Sequence, residues 1–159
     1  VVFSISGQLF AISATSVQEI RSADNLGGVV FDLEQSVIKK VRHMVEREGR
    51  AYYVLSGCIH FDLSASRPAI VLILRDLPVA VLVNRIEEMA EMTVLYSLPP
   101  SFQGLERRWY RGVTVLADRV LPVLEPRGLL TPVELDLLKP AAEECAGRMH
   151  AAGQAGTAR

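Results

Sequence analysis

The chain is poor in the residues from which most catalytic and metal sites are made. Only two cysteines, Cys58 and Cys145, and three histidines, His43, His60 and His150, occur in 159 residues. Two distant thiols build no disulfide framework, and a reduced, cytoplasmic setting is expected. A net charge of −1 gives no general attraction for nucleic acid or acidic lipid. No apolar run approaches the ~20 residues that a membrane-spanning helix needs. Ile70–Leu74 and Val79–Val83 are short and are split by Arg75-Asp76, so no membrane insertion is expected. What the chain does have is apolar bulk. Half of its residues are hydrophobic and its mean hydropathy is +0.25, which supports a dry core and excludes disorder throughout.

Catalytic frames are absent too. Ser56-Gly57-Cys58 lacks the GxSxG elbow, and the histidines cannot be tied to an acid partner by spacing. Gly27-Gly28 and Gly104 sit in no phosphate-cradling glycine motif. Cys58 and His60, read as alternating on a strand, would supply two of four zinc ligands, but no second pair completes a tetrahedron. The paired carboxylates Glu87-Glu88 and Glu143-Glu144, with Glu91, read as solvated charge. No catalytic residue, metal or cofactor is expected. Arg107-Arg108-Trp109-Tyr110-Arg111 alone interleaves basic and aromatic residues. It reads either as a platform for single-stranded bases or as the start of a strand that buries one ring while the arginines stay solvated.

The informative feature is a repeat. Ile5–Ile20 lies over Leu74–Met89 at an offset of sixty-nine, with Ile12 on Val81, Val17 on Ile86 and Glu19 on Glu88. The same offset lays Met44–Gly57 over Val113–Pro126, with Arg50 on Arg119 and Val54 on Val123. One offset serving two separated blocks implies two similar lobes in tandem.

Short β-rich runs fill both lobes. Val1–Ser6 and Leu9–Ser13 flank Gly7-Gln8 as a hairpin, and Ser16–Ile20 extends that sheet. Arg21–Phe31, rich in Asp, Asn and Gly, reads as a mobile loop. Leu33, Val37, Val41 and Val45 recur every fourth residue and predict a helix over about Leu33–Arg42, then a strand from Met44. Arg50–Leu55 and Cys58–Leu63 read as strands, Ser64–Pro68 as the crossing between lobes, and Ile70–Leu74 and Val79–Val83 as a hairpin around Arg75–Pro78. Ser97–Gly104 is a second loop, followed by the hairpin Val113–Leu116 and Val120–Leu124. Roughly ten short strands predict an all-β, barrel-like architecture. Thr131-Pro132-Val133-Glu134 then forms a capping box that opens a C-terminal helix over about 131–150. Val133, Leu137, Ala141, Cys145 and Met149 form its apolar stripe, Pro140 predicts a kink or a split at Lys139, and 151–159 reads as a flexible tail.

The order of these segments resembles the CheW-like domain family. Phe3, Gly7-Gln8, Ala11-Ile12 and Val17-Gln18-Glu19-Ile20 look like its opening hairpin and V-x-E-[IV] motif. Gly49–Leu55 looks like the strand after its leucine-arginine-glycine turn. Arg67–Val71 and Val79–Ile86 resemble its second-lobe hairpin. Pro99-Pro100, Tyr110-Arg111-Gly112-Val113, Ala117-Asp118-Arg119-Val120 and Val123-Leu124-Glu125 resemble its ending. The match spans about Val1–Leu130. Departures include Arg47-Glu48-Gly49 at the turn, Tyr53 for a proline, Ser56 for an aspartate, and Ala80 and Asn84 in the second motif.

The resemblance implies two pseudo-symmetric, five-stranded SH3-like β-barrels in tandem: one over about 10–66, the other over 67–130 plus the N-terminal strand. It implies a non-enzymatic adaptor that couples the cytoplasmic tip of methyl-accepting chemoreceptors to the regulatory domain of a CheA-type histidine kinase in two-component chemotaxis signalling. The residues implied for partner contact are Glu19, Ile20, Arg47, Glu48 and Gly49. Two alternatives remain: a CheW-like interaction module of another sensory pathway or of a larger protein, and a small β-barrel binding single-stranded nucleic acid.

Overall fold

A computed structural model describes residues 1–33 and 36–155. Among them lie eleven strands, β1 Val2–Ile5, β2 Gln8–Ala11, β3 Val17–Ser22, β4 Val29–Asp32, β5 Val41–Arg47, β6 Arg50–Ser56, β7 Ile70–Leu74, β8 Val79–Val83, β9 Arg85–Glu88, β10 Tyr110–Leu116 and β11 Arg119–Leu124. A single-turn helix, α1 Gly57–His60, follows β6, and a long helix, α2 Pro132–Ala155, ends the described chain.

The strands make a five-stranded sheet, β10-β11-β2-β1-β9, and a six-stranded sheet, β3-β7-β8-β6-β5-β4. The expectation of two five-stranded closed barrels is therefore corrected. Both sheets have two unpaired edges, and the second has gained β4 within the segment read as a loop. Gly28 permits that gain, since a Cβ there would collide with the Glu46 carbonyl of β5.

The repeat survives in the pairing. Shifted by sixty-nine, β5 and β6 fall on β10 and β11. Val45↔Tyr52 becomes Thr114↔Leu121, and Arg47↔Arg50 becomes Leu116↔Arg119. A register shift between Val41 and His43 recurs between Tyr110 and Gly112. The parallel pair Val54↔Ala80 recurs as Val123↔Ala11. Even β4 has a trace, because Tyr96 bridges Val113 as Phe31 pairs with Met44. The two sheets thus share one strand order, with hairpins exchanged: β1-β2 sits in the sheet of β9–β11, and β7-β8 in that of β3–β6. Ser64–Pro68 is therefore not the crossing. The backbone changes sheet between β2 and β3, and again between β8 and β9.

Alternation explains the cores. Phe3, Ile5, Leu72, Leu74, Tyr53, Leu55 and Leu124 face a common core with Leu129 and Leu138, while Val45, Tyr52, Val54, Val71 and Ile73 form a second core. The latter lies on the opposite face of β5–β8. The helix predicted over Leu33–Arg42 is absent among the described residues, and the part at 34 and 35 lies outside them. Bends and a turn lead into β5, Val37 is 69% exposed, and Val41 and Val45 belong to a strand. The four-residue spacing there also satisfied a period of two, and cross-strand pairing decided between them. Cys58–Leu63 is likewise corrected from strand to α1 and a turn, so Cys58 and His60 do not alternate on a sheet. Gly57 allows the close packing there: a Cβ would come within 2.6 Å of Ile5.

The capping box forms as expected, with Thr131 N–H donating to Glu134 at 2.8 Å and Glu134 N–H to the Thr131 hydroxyl at 3.2 Å. α2 docks on the sheets, but through a shifted stripe. Leu135, Leu138, Ala141, Ala142 and Cys145 pack on the core, whereas Val133 and Leu137 are exposed. The Met149 side chain lies outside the described residues. Pro140 does not split the helix, and α2 runs beyond 150 to Ala155, where a tail was expected. The rest of that tail, 156–159, lies outside the described residues.

Candidate functional site

Four of the five residues expected at a contact surface come together at one corner of the six-stranded sheet. β3 is an edge strand, and β7, β8 and β6 separate it from β5. The sheet nevertheless curls far enough for Arg47 on β5 to reach Glu19 on β3 at 2.7 Å. Arg47 also donates from Nε to the Gly27 carbonyl at 3.2 Å, and its side chain is 10% exposed. Arg21 adds a second ion pair to Glu19 at 2.6 Å and donates to Asn25 O. Hydrogen bonds from Arg47, then from Arg21, hold the Glu19 carboxyl below its usual range. The corner is thus a braced loop: two guanidinium groups tie 25–27 to β3 and β5.

Glu48 and Gly49 form the two-residue turn between β5 and β6. Their φ values of 50° and 75° are both positive, as a type I′ hairpin requires, and Gly49 adopts this freely where Glu48 does not. Both are exposed. Ile20 stands apart, because alternation turns it to the opposite face of β3 from Glu19, where it is 40% exposed. Arg21 and Gly27 were missed by sequence reasoning, since a loop carbonyl as an arginine acceptor leaves no pattern in a sequence. The repeat carried a partial signal. Glu88, the counterpart of Glu19, pairs with Arg119 at 2.9 Å beside the matching Ala117-Asp118 turn, whose φ values are also positive. An acid–arginine pair braces both hairpin tips.

The Arg107–Arg111 cluster resolves inward. Trp109 lies 4.4 Å from the His60 ring and 5.6 Å from Phe61, Tyr110 begins β10, and both rings pack on the core. Arg107 donates to Phe102 O and Arg111 pairs with Glu125 at 3.0 Å, so the rings offer no open stacking platform.

A part-buried polar cluster was not foreseen. Lys40 Nζ donates to Leu129 O at 2.8 Å, lies 3.0 Å from Glu134 and 3.1 Å from His60 Nδ1. It ties the turn before β5 and α1 to the cap of α2. A lysine can only donate, so Nδ1 is the acceptor and the ring proton sits on Nε2, which has no hydrogen-bond partner among the described residues. Burial, then the Lys40 charge, pushes His60 down to about 3. Among the described residues no three acidic, cysteine or histidine side chains cluster as metal ligands, and no helix is long and apolar enough to cross a membrane.

A family model, the CheW-like domain, matches residues 1–134. Among solved structures, the scaffolding protein TtCheW from Thermoanaerobacter tengcongensis has a similar fold. The TM-score is 0.68 at 13% identity, over 81% of this chain and 89% of that one. No curated protein matches the chain.

Proposed function

The chain belongs to the CheW-like domain family, and from that membership we propose that it is a non-enzymatic adaptor coupling chemoreceptors to a CheA-type histidine kinase in the cytoplasm. The observation that carries the reading is the braced corner. Glu19, Arg47, Glu48 and Gly49 converge on an exposed hairpin tip fixed by ion pairs. A rigid, charged protrusion of this kind suits partner recognition, because a preorganised loop loses little entropy on binding. The turn supplies one exposed negative charge at Glu48 next to a guanidinium that is already satisfied internally. Its partner surface is expected to be basic or polar at that point, with roughly 800 Å² or less buried per partner. A tip departing from leucine-arginine-glycine also fits a CheW-like module of another sensory pathway.

The test is capture of this chain by a CheA-type regulatory domain and by a receptor cytoplasmic tip, each alone and together. The charge reversal Glu48→Arg is expected to change affinity for one of them several-fold at an unchanged melting temperature. Binding to neither defeats the coupling role, and unchanged binding by the variant removes the corner as the contact site.

A further inference from the structure

We infer that the surface over Lys39, Arg108 and Arg127, where the two halves of the chain meet, docks an acidic segment of a partner protein. The duplication locates this surface. Lys40 Nζ donates to Leu129 O at 2.8 Å, and the Trp109 ring lies 4.4 Å from the His60 ring. At the sixty-nine-residue offset Lys40 falls on Trp109 and His60 on Leu129, so each contact is the counterpart of the other. Lys40 also reaches His60 at 3.1 Å, which joins the two contacts into one cluster. A cluster that maps onto itself lies on the axis relating the halves. Lys39 and Arg108 come just before Lys40 and Trp109, are counterparts in their turn, and are both exposed. Each half therefore places a cation beside the axis.

A third cation joins them. The short turn Pro126–Gly128 is held against the turn Leu105–Trp109. Glu125 N–H donates to Trp109 O at 2.7 Å, and a Cβ at Gly128 would collide with Arg108 O. Glycine is what lets the two turns meet and sets Arg127 beside Arg108. Among the described residues, none of the Lys39, Arg108 and Arg127 side chains has an ion-pair or hydrogen-bond partner. Their neighbours are occupied: Lys40 pairs with Glu134 at 3.0 Å, Arg111 pairs with Glu125 at 3.0 Å, and Arg107 donates to Phe102 O. Glu106 turns back on Gly104, where an added Cβ would come within 2.8 Å of its carboxylate. Three uncompensated cations thus stand together on a chain whose net charge is −1.

The chemistry of the partner follows from charge and shape. Free guanidinium groups on a braced backbone suit carboxylates, which they bind with two parallel hydrogen bonds. Leu105 adds an apolar foothold. It is 71% exposed, and in a 3-10 turn it eclipses Arg108 three residues on. A segment carrying carboxylates around an apolar side chain complements both. Single-stranded nucleic acid fits less well, because Trp109 and Tyr110 pack inward and leave no ring on which bases could stack. An anionic bilayer needs a broad apolar face beside the cations, and this surface offers one leucine.

The probe is a blocked hexapeptide of glutamate and leucine, Glu-Glu-Leu repeated twice, titrated into the full chain at low salt and followed by amide and arginine side-chain NMR. Saturable shifts are expected at Lys39, Leu105, Arg108 and Arg127, with a dissociation constant of millimolar or better. Added salt is expected to weaken binding several-fold, since the pairs are exposed. The double variant Arg108→Ser with Arg127→Ser is expected to lose binding at least several-fold, and Arg127→Gln alone serves if the double variant does not fold. Four outcomes each overturn the proposal: no saturable shifts, shifts centred on other residues, equal binding of the peptide with glutamine for glutamate, or undiminished binding by a folded variant. Tighter binding of hexathymidylate or of phosphatidylserine vesicles than of the peptide also overturns it, in favour of a nucleic acid or a membrane. Glu48 stands at the other end of β5, so failure here leaves capture through that tip to its own test.

Discussion

Acidification from pH 7 to pH 5 should weaken this fold through one residue, His60. Its ring is 6% exposed, packed against Phe61 and Trp109, and it faces the Lys40 ammonium at 3.1 Å. The folded state therefore keeps it neutral, with its protonation pushed down to about 3, whereas the unfolded chain protonates it near 6.5. Between those values the unfolded state binds the extra proton, so stability is full above about pH 6.5 and falls as pH drops below it. Over the two units from pH 7 to pH 5 the loss is about 2 kcal/mol, a twenty- to thirtyfold change in the unfolding equilibrium. With a urea slope of roughly 2 kcal/mol per molar, the midpoint falls by about 1 M.

The other histidines must be removed from the comparison. His43 is half exposed, 3.5 Å from Asp32 and away from the Lys40 contact. The measurement is best made with His43 and His150 replaced by glutamine, comparing His60 with His60→Asn, whose amide oxygen can still accept from Lys40. The parent should lose the stated stability between pH 7 and 5 and the asparagine variant should lose little. Equal losses in both proteins, or none in the parent, would refute a buried neutral imidazole clamped by Lys40.

Arg47→Ala should cost about 1–3 kcal/mol in urea unfolding, since it strips a largely buried guanidinium from Glu19 and Gly27 O. The folded Glu19 carboxyl is held low, so its contribution is present above about pH 4.5 and lost on further acidification; in the variant that acid-side loss should shrink. Leu138→Ala, at a side chain 1% exposed, should cost about 2–5 kcal/mol, and little effect would mean α2 is not docked on the core. Cutting the chain after residue 66 should leave neither piece folded alone, because β1-β2 and β7-β8 each complete a sheet of the other half. A folded, monomeric fragment by NMR would contradict the exchanged topology.

The strands were legible in proportion to how locally they were determined. β5-β6 and β10-β11 carry both an alternating pattern and a tight turn, and the repeat marked each twice. The capping box of Thr131 and Glu134 is a four-residue device and was read directly. β4 was not legible, because Val29 and Val30 are exposed and only the approach of Gly28 to β5 makes the pairing possible. The segment leading into Val41 misled for a different reason, since spacings of four fit both helix and strand when partners are unknown. At the candidate site, Glu19, Glu48 and Gly49 were visible through a motif, but their cohesion was not. It depends on the curl of a sheet that brings Arg47 to a non-neighbouring strand. The Lys40 clasp joins residues 40, 60, 129 and 134, and no sequence pattern spans such separations.

The exchanged hairpins explain why the two sheets could diverge so far in content while keeping one strand order. Each sheet borrows two strands from the other half, so neither is an independent folding unit, and the common core of Phe3, Ile5, Leu55, Leu72, Leu74 and Leu124 lies where both halves meet. That shared core carries much of the apolar burial and constrains both copies alike. The faces turned away from it are under no such joint constraint. There one sheet packs Tyr52 and Ile73, where the other has the smaller Leu121 and Ser4. The same holds at the tips, where one copy pairs Glu19 with an arginine before its turn and the other pairs Glu88 with an arginine after it. Whatever distinguishes this chain from a symmetric duplicate should therefore be sought on the outer faces and hairpin tips, and least of all in the seam between the halves.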